Sequence, residues 1–145
     1  MIEKEKPYVT FGSLVRRAAK LLTQRLAINF KEMGLDLTAG HWFILTALWV
    51  KEGRNQNELA NFCNMDKTNI TKLLDAMEKL NLVVKIEDRQ DRRNKLVYLT
   101  NKGKELREEM TAAQQKTLNE AQEGVNPSEV AICQKVLKKV IGNLR

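Results

Sequence analysis

The stretch LVVKIEDRQDRRNKLVYLTNKG, residues 82–103, decides the fold of this 145-residue chain. Leu82-Val83-Val84-Lys85-Ile86 and Leu96-Val97-Tyr98-Leu99 are short runs rich in β-branched and aromatic side chains, so each reads as a strand. The segment between them, Glu87 to Lys95, is polar throughout and too hydrophilic to be buried. It therefore forms the tip of an antiparallel hairpin, and that tip carries Arg89, Arg92, Arg93 and Lys95. Thr100 follows at once as a cap for a long helix beginning at Asn101.

Working upstream, the period changes from 2 to 3.6. Asn55 caps a short helix with Glu58 three residues on, and Leu59, Ala60 and Phe62 supply its apolar contacts. Cys63-Asn64-Met65 breaks the pattern and Asp66 caps a second helix. There Ile70, Leu73, Leu74, Met77 and Leu80 recur at inward spacing, while Lys67, Thr68, Thr71, Lys72, Asp75 and Lys79 fall on the opposite face. Two short helices joined by a tight turn make a helix-turn-helix. With a hairpin directly behind it, the unit is a winged helix.

The flanks are helical. From Thr10 to Met33, Phe11, Leu14, Val15, Ala18, Leu21, Leu22 and Leu26 recur at steps of three and four, and Gly34 stops the run. Thr38 caps a helix whose stretch from Trp42 to Val50 is apolar on most sides and thus buried, ending at Gly53. The helix from Asn101 reaches about Glu123. Gly124 and Asn126-Pro127 then turn the chain, and Ser128 caps a last helix carrying Val130, Cys133, Leu137, Val140, Ile141 and Leu144. These end helices are too thinly apolar to pack alone, which points to a second copy of the chain in an isologous dimer. The expected fold is mainly α: about six helices plus a two-stranded β-wing. Residues 1–36 and 101–145 form the dimerisation region, and residues 37–100 form the winged helix-turn-helix.

Composition excludes several classes. Hydrophobic residues make up 43% and charged residues 30%, with Lys and Arg at 25 against 18 acidic residues. The net charge is +7, distributed as +3, +3 and +1 over residues 1–53, 54–103 and 104–145, which favours polyanionic partners. No run of about 18 apolar residues suggests a membrane span, and the polar start is unlike a signal peptide, so the cytosol is expected. Cys63, Cys133 and the single histidine, His41, cannot assemble a structural zinc site. No phosphate-cradling glycine loop or nucleophile elbow is present. Neither metal, cofactor nor enzymatic activity is expected.

The order of elements and the wording of the wing resemble the MarR family of bacterial transcriptional regulators. Leu37-Thr38 with Trp42 and Leu45, Asn57-Glu58-Leu59-Ala60, and above all Asp91-Arg92-Arg93 followed by Val97-Tyr98-Leu99-Thr100-Asn101-Lys102-Gly103 carry the resemblance, which covers roughly residues 8–145. One departure is His41, at a position where the family usually has glutamine. The resemblance implies a homodimer that places each recognition helix in a major groove and each wing in the adjacent minor groove of a pseudo-palindromic operator. It implies a repressor, released by a small phenolic or other aromatic anion bound between the first, second and fifth helices. The thiol-sensing branch of the family carries its reactive cysteine in the first helix, and here that helix has none.

On this reading Thr68, Asn69, Thr71 and Lys72 meet base edges. Lys67 with Asn55, Gln56 and Asn57 holds phosphates. Arg92 and Arg93 enter the narrow minor groove, whose negative potential suits a guanidinium, with Arg89 and Lys95 on the flanking backbone. Asp91 would pair with an arginine to shape the wing. Phe11, Phe30, His41, Trp42 and Met110 would line the effector site, against the plainer reading of ordinary packing. Cys133 reads as a small core hydrophobe. The alternative function is a winged-helix scaffold for protein partners that lacks specific DNA binding.

Overall fold

The computed structural model describes residues 9–145, so the polar start read above lies outside the described residues. Among the described residues six helices and two strands follow in order: α1 (Phe11–Glu32), α2 (Ala39–Val50), α3 (Gln56–Cys63), α4 (Lys67–Lys79), β1 (Val83–Glu87), β2 (Lys95–Leu99), α5 (Asn101–Ala121) and α6 (Pro127–Leu144). Their starts obey cap chemistry. Thr10, Thr38, Asn55, Asp66 and Thr100 each accept the backbone N–H three residues on, satisfying a donor that the helix leaves orphaned. At α6 the cap is Asn126 rather than Ser128. Pro127, with φ preset and no N–H to satisfy, takes the first helical position, and Asn126 accepts from Ser128 N at 3.2 Å.

The helix-turn-helix turns on Asn64, which adopts the left-handed conformation at φ 52° and lets Met65 N reach Ala60 O at 3.0 Å. β1 and β2 pair antiparallel from Val83 opposite Leu99 to Glu87 opposite Lys95. Arg54 adds a bridge on the outer side of β2, with Val97 N donating to its carbonyl at 2.9 Å.

The core joins Leu26 and Phe30 of α1, Ile44, Leu45 and Leu48 of α2, Leu59, Ile70, Leu74 and Met77 of the helix-turn-helix, Val83 and Val97 of the wing, and Met110 and Ala113 of α5. Leu80 and Phe62 depart from the expected inward set. Leu80 is the C-cap of α4 and stays exposed, and Phe62 lies on the surface beneath the Arg54 guanidinium, 5.0 Å from the ring centre. Beyond this core the apolar faces of α6 and of the first half of α1 are largely uncovered among the described residues. No residue of α6 is buried, and Ile132, Val136, Ile141 and Leu144 are exposed, as are Phe11, Leu14, Leu21 and Leu22 of α1. Cys133, expected in a core, is likewise exposed among the described residues.

Candidate nucleic-acid interface

The first turns of α4 carry Lys67, Thr68, Asn69, Thr71 and Lys72, all exposed. The wing loop presents Arg89, Arg92 and Arg93, and Lys95 opens β2, again all exposed. Between these two projections lies a groove of about 360 Å³. Asn55, Gln56 and Asn57 at the start of α3 form one wall with Lys67, and Lys85, Arg93, Asn94 and Lys95 form the other, over a floor of Leu74 and Val97. Cations from three elements thus converge beside a helix N-terminus, a place that favours negative charge. Thr68, Asn69, Thr71, Lys72, Arg89 and Arg92 lie outside this groove.

Several of these side chains already have partners. Gln56 Nε2 donates to Lys67 O at 3.1 Å and to Thr71 Oγ1, and Thr71 Oγ1 donates to Lys67 O at 2.8 Å. Gln56 is therefore spent on holding α3 against α4, which leaves its backbone rather than its amide for a phosphate. With its proton committed, Thr71 offers its methyl group and a remaining lone pair to a base edge. Asn69 gives its backbone N–H to Asp66 Oδ1 at 2.8 Å, and its side-chain amide leans toward Oδ2 at 3.4 Å.

Asp91 shapes the wing, but not by pairing with a guanidinium. Its Oδ1 accepts the backbone N–H of Arg93 at 3.1 Å, and its carbonyl accepts Asn94 N at 2.9 Å. This is an aspartate side chain closing a turn on its own backbone, which leaves both arginine side chains free of it.

The expected effector residues stand in different settings. Phe30 and Met110 are fully buried, Phe11 is 55% exposed at the far end of α1, and Trp42 packs between Phe30 at 6.4 Å and Trp49 at 5.7 Å. His41 is buried and acts as a cap: its Nδ1 accepts Thr38 N at 3.0 Å, while Thr38 Oγ1 accepts His41 N. Glutamine at this third helical position makes the same reciprocal box, so the departure from the family pattern preserves the local bonding. Burial pushes the His41 pKa below its ordinary value, against the opposing pull of Asp36. Protonation would also remove the Nδ1 acceptor. The folded protein therefore takes up this proton less readily than the unfolded chain. The contribution is complete above about pH 6.5 and is lost as pH falls through the lower folded-state value. Thermal unfolding should shift downward between about pH 7.5 and 5, and His41→Gln should flatten that dependence. An unchanged slope in the variant would remove the capping role.

Cys63, half-buried at the end of α3, has its thiol pushed up to about 11 by burial, against the influence of Arg54. Its thiolate is scarce at neutral pH, which suits an inert side chain.

Residues 37–95, the segment from the cap of α2 through the wing tip, match the model of the MarR family. Over that segment the chain is similar to the MarR family. The chain is also similar to curated transcriptional regulators. It is 29% identical over 103 residues to the HTH-type transcriptional regulator SarZ of Staphylococcus epidermidis, covering 71% of this chain and 68% of that protein. Among solved structures, the transcriptional regulator PA3341 superimposes with a TM-score of 0.79 at 29% identity, covering 93% of this chain and 98% of that one. A cysteine-to-serine mutant of Escherichia coli MarR in complex with operator DNA gives 0.84 at 23% identity, covering 94% and 96%, a likeness of fold. These relatives are transcriptional regulators rather than enzymes. No helix among the described residues is long and apolar enough to cross a membrane.

Among the cations of this groove, sequence reasoning passed over Lys85. It stands in the register of the buried Val83 on β1, and a cation in an inward register needs an anionic partner. Asp75 and Glu78, three apart on α4, were the available signal.

Proposed function

We propose that this chain acts as a homodimeric, sequence-specific DNA-binding repressor relieved by a small-molecule effector. The observation that carries the reading is the convergence of α4, the start of α3 and the wing on one cationic groove, with exposed side chains on either side. Lys72, Thr68 and the Thr71 methyl would meet base edges in the major groove. Arg92 and Arg93 would enter the minor groove, and Lys67, Arg89 and Lys95 would meet phosphates. The fold shared with MarR in its operator complex supports this docking.

Residues 1–36 and 101–145 serve dimerisation and 37–100 read DNA, a division supported by the uncovered apolar faces of α1 and α6. A pseudo-palindromic operator then requires the two recognition helices about 34 Å apart. Release needs only a ligand that binds better when that spacing is lost. A phenolic or other aromatic anion is the class usual in the family. In this chain its seat near Phe30, Trp42 and Met110 would have to open by rearrangement of packed side chains.

The test is a titration against a duplex enriched from a random-sequence DNA pool. Binding should weaken steeply with salt, in proportion to the phosphates neutralised. Changing Arg92 and Arg93 together to alanine should cost about 100-fold and reduce the salt slope by about one per arginine that meets a phosphate. Equal affinity for every duplex, unaffected by the arginine changes, would favour a protein-interaction scaffold instead.

A further inference from the structure

Lys85 is a wing cation turned toward the body of the protein. Its side chain is only 20% exposed, and Nζ lies 2.7 Å from Asp75 Oδ1 and 3.1 Å from Glu78 Oε1, both on α4. Asp75 also feels Lys79 and Lys95, and these neighbours hold its carboxyl below the usual range, the Lys85 hydrogen bond most of all. An isolated surface ion pair is weak. Here, however, one mostly covered ammonium bridges two carboxylates of the recognition helix from the middle of a strand. Just before β1, Leu82 N donates to Met77 O of α4 at 2.9 Å, and further ties fall on β2: the Arg54–Val97 bridge, and Leu99 N donating to Glu52 Oε1 at 2.8 Å. Among the described residues Lys85 is thus the side-chain link between β1 and α4.

We propose that Lys85 is a positioning residue that sets the angle between wing and recognition helix, so that both engage one duplex simultaneously. The inference rests on the DNA-binding reading above. Because two carboxylates already neutralise its charge, Lys85 contributes placement rather than attraction for phosphate. The competing role is direct: Lys85 also borders the groove shared with Lys67, Arg93 and Lys95, where it could leave the carboxylates for a phosphate.

Salt dependence and coupling separate the two roles. With the full chain and the enriched duplex, Lys85→Met should weaken binding about tenfold, or about 1.4 kcal/mol, with an unchanged salt slope, and Lys85→Arg should restore most of it. Arg92→Ala should cost about tenfold alone but little in the Lys85→Met background, since a wing already displaced has nothing further to lose. Removing the other side of the bridge, with Asp75→Asn and Glu78→Gln, guards against a misfolded lysine variant. That pair makes the protein more positive, yet it should weaken operator binding while leaving binding to random duplex equal or stronger. A salt slope reduced by about one in Lys85→Met marks a phosphate contact. That outcome, additive losses with Arg92→Ala, or tighter operator binding by the double variant would each overturn the proposal. Failure of the wild-type chain to enrich any duplex would sink the DNA-binding reading itself, and this inference with it.

Discussion

Leu21→Glu together with Leu22→Glu should convert the protein to a monomer and lower operator affinity at least about 1000-fold. Both leucines border a groove of about 570 Å³ between α1 and α5, with Ala18, Ile28 and Ala121 on its apolar walls and Arg25 and Glu120 at its polar edge. α6 has no buried residue in the single chain, and on the dimer reading a second copy covers these faces. In an isologous interface every substitution occurs twice, and burying unpaired carboxylates there is prohibitive. Loss of the dimer breaks the link between two half-site contacts, so affinity drops by the effective-concentration factor without any change at the DNA-facing side chains. Sedimentation would read the first effect and operator titration the second. A double variant that remains dimeric would move the interface elsewhere.

Gly103→Ala should destabilise the fold by about 3 kcal/mol or more, because the obstruction is backbone. A Cβ there would stand 2.4 Å from Leu82 O and 3.2 Å from a Leu99 methyl. The Leu82 carbonyl cannot swing aside. It accepts Thr100 N at 3.0 Å at the point where wing and α5 meet, and Thr100 Oγ1 in turn accepts Gly103 N at 3.1 Å. α5 would have to lift off the hairpin and pull Trp49 Nε1 from its 3.0 Å bond to Gly103 O. For a chain of this size the thermal midpoint should fall by about 10 °C. An unaltered midpoint would mean that α5 shifts at little cost and that glycine is dispensable.

The helix starts were legible because capping is local: Asp66, Thr38 and Thr100 each sit three residues before the N–H they accept. The hairpin was legible because the period-2 pattern fixes register. Asn126 was passed over for Ser128 because both are competent caps, and only the placement of Pro127 at the first helical position chooses between them. The exposed polar side chains of α4 were legible as such on a periodic helix. Their commitments were not, because the Gln56 contact with Lys67 and Thr71 joins residues on different helices. Asp91 and Arg93 illustrate a subtler miss. Opposite charges suggested a side-chain pair, whereas a short aspartate reaches the nearby amide at lower entropic cost than a long guanidinium must bear.

By itself, then, the sequence determined the element order, the winged helix-turn-helix, the basic wing and the family resemblance, since these depend on spacing within a few residues and on composition. Tertiary structure decided what depends on distant residues meeting. It spent His41, Phe30 and Met110 on capping and core rather than on a cavity, and it placed the Leu82 carbonyl where Gly103 allows no side chain. It also turned Lys85 inward onto Asp75 and Glu78. Whether a side chain is free for a ligand is set by its neighbours in space, and those are fixed only when helix, strand and turn are packed together.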